Sequence, residues 1–269
     1  MTVKLIAIDL DDTLLQDDKT ISPTVKLAVS QAQSQGVHVV LASGRPYSGM
    51  QGYLKELGLD KSGCYCISYN GGLIQHAGSG EIIKQTLLTI EDYHRVSALS
   101  LLLKIHFHAL TYDALYTPNR DISTYTVREA FLSHIPLIYC PIDEMKPDLT
   151  FPKMMFIDEP TILDAAITNI PASYHADYTL VKSSPFFLEV LHKDVDKGAA
   201  VKFLSQRLGI QQSEVMCIGD HHNDLPMIQY AGIGVAMGNA SDEIKQHAQF
   251  ITHTNQQDGV AFAIQKFLA

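Results

Sequence analysis

Two aspartates separated by one residue, Asp9 and Asp11, stand directly after the apolar run Leu5 to Ile8. With Leu10 turned away, both carboxylates can face one site. Carboxylates held that close repel, which raises the pKa of one of them. That split suits a nucleophile working beside a general acid. A divalent cation relieves the repulsion and can hold a phosphate beside the pair. The same residues also fit a helix cap or a solvated acidic turn. Ser43-Gly44-Arg45-Pro46 offers a hydroxyl and bare backbone N–H groups at a helix start, donors suited to phosphate oxygens, although a turn with a capping serine reads the same way. Lys197-Gly198 opens a helix, where a lysine opposes the helix dipole unless an anion needs it; a solvated lysine is the plainer reading. Gly219-Asp220-His221-His222-Asn223-Asp224 supplies oxygen ligands for a hard cation from Asp220 and Asp224, and an amide donor from Asn223. The two histidines do not make a zinc site, because sequence neighbours rarely bind one ion together and no HExxH spacing is present. Taken together, the four clusters hold the parts of phosphoryl transfer: nucleophile, acid, charge neutralisation and metal.

In open α/β sheets such groups collect beyond the carboxyl ends of strands. Leu5 to Ile8 reads as a buried parallel strand. Ser22 with Pro23 starts a helix whose stripe is Val25, Ala28, Val29 and Ala32, with Gly36 beyond its end. Val37 to Leu41 is a second strand, a helix follows around Ser48 to Leu57, and Tyr65 to Ser68 is a third strand. The last part repeats the rhythm: helix Lys197 to Leu208, strand Val215 to Ile218, helix Leu225 to Ala231, strand Ile233 to Ala236. A helix capped by Ser241, a short strand Phe250 to Thr252 and a closing helix Val260 to Leu268 complete it. The middle differs. Asn70-Gly71 is a turn signal, Thr89-Ile-Glu-Asp-Tyr looks like a helix start, and prolines are scattered irregularly from Pro118 to Pro185. The expectation is an α/β core, residues 1–83 and 189–269, with an α+β domain inserted at 84–188.

The chain has 269 residues, 46% of them hydrophobic, which allows a sizeable core; 20 Lys plus Arg against 29 Asp plus Glu give a formal charge of −9. A fold of that sign does not attract nucleic acid non-specifically. The opening Met1-Thr-Val-Lys-Leu-Ile-Ala-Ile has no long h-region, and no uncharged apolar run approaches the ~20 residues of a membrane span. With four cysteines, Cys64, Cys66, Cys140 and Cys217, the reading is a cytoplasmic protein with reduced thiols and no membrane partner. Cys64-x-Cys66 lacks a second metal-binding pair nearby and reads as strand packing, and His106-x-His108 as a strand face or a substrate contact.

The four clusters resemble, in order, the four motifs of the haloacid dehalogenase (HAD) superfamily. The nearest likeness is to the YidA-like members of its Cof-type sugar-phosphatase branch. Asp9-x-Asp11-x-Thr13, Ser43-Gly44-Arg45-Pro46, Lys197-Gly198 and Gly219-Asp220-x-x-Asn223-Asp224 carry it. Tyr69-Asn70-Gly71-Gly72 and Pro185 to Val190 resemble the passages entering and leaving the inserted cap. The resemblance implies a Rossmannoid core with a parallel sheet and a cap of the C2/IIB type. It implies Asp9 as the nucleophile that forms an aspartyl-phosphate, and Asp11 as general acid and then base. It implies Mg²⁺ held by Asp9, the Asp11 backbone carbonyl and Asp220, with Asp224 near it. Ser43, Gly44, Lys197, Asn223 and the Leu10 backbone would hold the phosphate. Asp12 replaces the usual glycine, Asp194 stands where glycine is common, and His221 stands where a small residue or Asn is usual. His221 could meet the metal through its carbonyl or the substrate through its ring. The expected activity is hydrolysis of small phosphomonoesters, sugar phosphates above all. A hexose-phosphate mutase and a non-catalytic phosphometabolite sensor are the alternatives. Oligomeric state is left open.

Overall fold

The computed structural model describes residues 2–268, which form two compact units, Lys84 and before together with Asp196 and after, and Gln85–Val195. The first unit is built on a sheet whose alternating residues feed two cores. Its first strand, β1 (Leu5–Ile8), pairs in parallel with β2 (His38–Ala42) on one side and β12 (Val215–Gly219) on the other. Parallel pairing continues outward through β13 (Ile233–Ala236) to β14 (Phe250–Ile251), and through β3 (Tyr65–Ser68). A hairpin then reverses the chain into β4 (Leu73–His76), with β5 (Ile82–Gln85) at the edge.

Successive side chains of a strand point to opposite faces. Ile6, Ile8, Val39, Leu41, Met216 and Ile218 therefore pack with α1 (Pro23–Ser34) and α10 (Gly259–Leu268) on one face. Leu5, Ala7, Val40, Val215 and Cys217 pack with α7 (Lys197–Arg207) and α8 (Leu225–Tyr230) on the other. Both faces are covered, which is why these strands read as unbroken apolar runs. Ser22 caps α1 through the Val25 N–H at 3.2 Å, with Pro23 in the first turn. The helix expected around Ser48 to Leu57 is two pieces, a 3₁₀ turn at Tyr47–Gly49 and α2 (Gln51–Glu56).

The second unit has a six-stranded sheet in the order β10-β11-β9-β6-β7-β8. These are β6 (His106–Leu110), β7 (Leu115–Thr117), β8 (Leu137–Tyr139), β9 (Lys153–Ile157), β10 (Tyr178–Ser184) and β11 (Phe187–His192). Only β7 and β8 pair in parallel. One face, with Phe107, Met154, Phe156 and Val190, packs on α3 (Ile90–Leu103) and α5 (Pro160–Ile167). Thr89 and Asp92 close a reciprocal capping box at the start of α3. The opposite face carries a buried polar group. Lys153 reaches Glu189 on β11 at 3.1 Å and Glu129 of α4 (Thr124–Ser133) at 3.2 Å. The sequence boundary at 188/189 needs correction to 195/196, because β11 lies inside this sheet between β9 and β10 and holds the chain until Val195. His106 pairs with Asp158 at 3.0 Å and His108 is fully buried, so both serve the strand's own packing.

Candidate active site

Asp9 follows β1 directly, and its N–H donates to the Ile218 carbonyl at 3.0 Å, so the sheet ladder fixes where its side chain emerges. Leu10 turns into the core, as the spacing of Asp9 and Asp11 requires. The turn that follows needs a left-handed residue at position 12, where φ is 60°. Aspartate tolerates that conformation better than most side chains, so Asp12 can stand where glycine is usual without breaking the loop.

Lys197 is the first residue of α7, whose N-cap is Asp196, accepting from the Ala199 N–H at 2.7 Å. The lysine is wholly buried, and its ammonium donates to Asp9 at 2.5 Å and to Asp224 at 2.6 Å. Burial would lower its pKa, but Asp224 and Asp9 outweigh burial and hold the lysine charged. Burial, and then the Asp224 carboxylate, push the Asp9 carboxyl well above the usual range, against the pull of Lys197.

The loop after β12 is closed by Asp224, which accepts from the backbone N–H of Asp220 at 2.9 Å and of His221 at 3.0 Å. Asp220 accepts from the Thr13 hydroxyl at 2.7 Å, which ties this loop to the one after β1. Burial and Asp224 raise the Asp220 carboxyl. Ligand oxygens of Asp9, Asp220 and Asp224 lie within 4.8 Å of one another, as do ligand atoms of Asp12, Asp220 and His221. An all-carboxylate set, carrying more negative charge than Lys197 offsets, fits a hard divalent cation. His221 turns its ring nitrogen Nδ1 onto Asp220, and that hydrogen bond pushes the imidazole up to about 9. The ring is then protonated at neutral pH, and in this arrangement it donates to a carboxylate rather than offering a lone pair.

Arg45 connects the loop after β2 to the loop after β1. Its Nε donates to Asp11 at 2.8 Å and its Nη2 at 2.7 Å. Burial alone would raise the Asp11 carboxyl, but Arg45 and Lys19 hold it below its ordinary value. Ser43 is buried, with its hydroxyl accepting from the Arg45 N–H at 3.2 Å. Asn223 donates to the Asn70 side chain at 3.0 Å, and the Asn70 N–H donates to the Ser43 carbonyl at 2.9 Å. Contacts thus link all four sequence clusters at the carboxyl ends of β1, β2 and β12. Three of the linking residues, Arg45, Thr13 and Asn70, were not among the expected site residues. Arg45 and Thr13 stand within the motifs themselves, whereas Asn70 reads as a turn residue within the passage that enters the inserted unit.

A family model described as haloacid dehalogenase-like hydrolase matches residues 6–264. The chain belongs to that family. "Putative phosphatase YxeH" of Bacillus subtilis is 47% identical over 98% of this chain and 98% of its own. The 5-amino-6-(5-phospho-D-ribitylamino)uracil phosphatase YcsE of the same organism is 31% identical over 99% and 96%. The crystal structure of a haloacid dehalogenase-like hydrolase from Bacteroides thetaiotaomicron superposes with a TM-score of 0.86 at 32% identity, covering 98% of this chain and 99% of that one. This haloacid dehalogenase-like hydrolase is accordingly a phosphatase, hydrolysing phosphomonoesters. Among the described residues no helix is long and apolar enough to cross a membrane.

Proposed function

We propose that this phosphatase hydrolyses small phosphomonoesters, sugar phosphates among them, in a Mg²⁺-dependent reaction through an aspartyl-phosphate on Asp9. The observation that carries the reading is the Asp9 carboxylate itself. It is buried at a strand end, bonded to a buried lysine and flanked by two further carboxylates. In this reading an Asp9 oxygen attacks phosphorus while Lys197, Ser43, Asn223 and the N–H groups of Leu10 and Gly44 hold the phosphoryl oxygens. Asp11 gives a proton to the leaving oxygen and later takes one from the water that attacks the intermediate. Arg45 favours the ionised form of Asp11 at rest, so a substrate phosphate, a like charge brought alongside, has to favour the protonated form.

Asp9, Asp220 and the Asp11 carbonyl would hold Mg²⁺, with Asp224 beside them and the His221 carbonyl as a further oxygen. The bound ion neutralises charge on the phosphoryl group. Asp224 already accepts from Lys197 and two backbone N–H groups, so in this reading it would support the ion's ligands rather than lead them. Small substrates are favoured because a relative's name specifies a small phosphorylated compound. The net charge of −9 disfavours nucleic acid, and four free cysteines suit the cytoplasm.

The test is phosphate release from a panel of sugar phosphates, nucleotides and pyridoxal phosphate, with Mg²⁺ or with chelator, beside Asp9→Asn. Turnover requiring both Mg²⁺ and Asp9 is expected. Full turnover by Asp9→Asn would sink the covalent route, and full turnover in chelator would sink the metal.

A further inference from the structure

The turn between β3 and β4 is under unusual backbone constraint. Tyr69 and Asn70 are both left-handed, with φ of 50° and 55°. Asn70 is 2% exposed. The Tyr69 N–H donates to the Arg45 carbonyl at 3.1 Å, and the Asn70 N–H to the Ser43 carbonyl at 2.9 Å. The Asn70 side-chain oxygen accepts from the Asn223 amide at 3.0 Å. A Cβ on Gly44 would lie 3.1 Å from the Asn70 amide nitrogen, so the side chain of residue 70 fills the space that a side chain at 44 would need. At Gly71, with φ of 105°, a Cβ would meet the Asp196 carbonyl at 2.4 Å, which packs the same turn against the start of the Lys197 helix.

Residue 70 therefore meets three residues from two separate loops, bonding Ser43 through its backbone N–H and Asn223 through its side chain and filling the space beside Gly44, and all three are among the groups read as holding phosphate. We propose that Asn70 is a positioning residue for the phosphate site, orienting the Asn223 amide and the Ser43-Gly44 backbone toward the phosphoryl oxygens. The inference rests on the reading that those groups bind phosphate. The chemistry is that of a primary amide with two N–H donors. Asn70 takes one donor of Asn223, which fixes the rotation of the amide plane and leaves the second donor for an anion. Without that acceptor the terminal torsion is broad, and the donor has no set direction.

Asparagine answers both demands of the position, since it tolerates the left-handed backbone and carries the acceptor. The two can be separated by Asn70→Gly, because glycine adopts the same backbone without strain. Three proteins are compared with wild type: Asn70→Gly, Asn223→Ala and the double variant. Each is measured for binding of inorganic phosphate in Mg²⁺ by calorimetry and for kcat/KM on the best panel substrate.

Asn70→Gly should weaken phosphate binding and lower kcat/KM by about tenfold each, the scale of one misdirected hydrogen bond, with the melting temperature held near wild type. In the Asn223→Ala background the same change should cost less than about twofold, because the side-chain route through the Asn223 amide is already gone while the residue 70 N–H still holds the Ser43 carbonyl. A purely structural role would give equal losses in both backgrounds, and that outcome overturns the proposal. So does phosphate binding by Asn70→Gly equal to wild type. Should Asn70→Gly not fold, Asn70→Ser, too short to reach Asn223, is expected to show the same losses. A wild-type protein that binds phosphate but turns nothing over overturns the reaction reading and leaves the binding comparison able to judge Asn70.

Discussion

Arg45 grips Asp11 through a two-point fork, with Nε on one carboxylate oxygen at 2.8 Å and Nη2 on the other at 2.7 Å. A planar guanidinium sets the plane of the carboxylate as well as its charge, whereas an ammonium supplies charge alone. In the proposed reaction the fork would fix the direction in which Asp11 passes a proton. Arg45→Lys is expected to lower kcat by roughly 10- to 100-fold, within the range that general acid–base catalysis contributes, and to change KM by less than about threefold. Steady-state kinetics on the best panel substrate decide it. An unchanged kcat would leave the fork without a part in proton transfer.

Lys197 is the sole cation bonded to Asp9 and Asp224 among the described residues, and all three are buried. Removing one partner of a buried ion pair strands the others. Lys197→Met should abolish turnover and cost about 3–5 kcal/mol of stability. Urea unfolding reads the loss. Adding Asp224→Asn to that variant removes one stranded charge while keeping an acceptor for the Asp220 and His221 N–H groups, and part of the stability should return. A Lys197→Met protein as stable as wild type would contradict the buried triad.

Burial first, and then the neighbouring carboxylates, raise Asp9 and Asp220, so positions 9, 220 and 224 hold like charges close together out of water. A divalent ion bound there stabilises the folded state alone. At about 100 times its dissociation constant, Mg²⁺ should add about 2.7 kcal/mol, visible as a rise in melting temperature that chelator reverses. Asp220→Asn should lose most of that rise. A melting temperature indifferent to Mg²⁺ in the wild-type protein would count against a metal at these residues.

Much of the first unit is legible in the sequence because its signals are local. The Leu5–Ile8, Tyr65–Ser68 and Ile233–Ala236 strands stand where their apolar runs place them, and Ser22 caps its helix as Ser-Pro spacing requires. Each site cluster likewise occupies one loop and can be read alone. What ties the clusters together is not local. Arg45 and Asp11 are 34 residues apart, and Asn223 and Asn70 are 153 apart, so their bonds depend on side-chain directions set by the finished sheet. The same reason hid the end of the inserted unit. Glu189 falls one residue beyond the expected boundary at 188, yet it is buried against Lys153, 36 residues earlier. An isolated glutamate gives no sign of a distant lysine until the strand order is known.

Beside that buried group lies a histidine whose burial should make the second unit sensitive to acid. His108 on β6 is enclosed by Thr126 of α4, whose hydroxyl lies 3.2 Å from Nδ1, and by Met155 of β9, whose sulfur lies 3.1 Å from Nε2. Lys153 of β9 is the nearby cation, and it holds Glu129 of α4 and Glu189 of β11. Burial, and then Lys153, push the His108 pKa well below its ordinary value. The unfolded chain takes a proton at this histidine near pH 6.5, and the folded chain resists it. The stability this creates is fully present above about pH 6.5 and is lost as pH falls toward the folded value, at up to about 1.4 kcal/mol per pH unit. Lys153 stays charged throughout that window, since the two glutamates hold its pKa above the ordinary value despite burial. Hydrogen exchange at the β6 and β9 amides between pH 7 and pH 5 reads the second unit by itself. Relative to wild type, His108→Gln should flatten the loss of protection across that range, since glutamine has no proton to gain. Parallel pH profiles in the two proteins would mean that other groups, not His108, set the acid response of this unit.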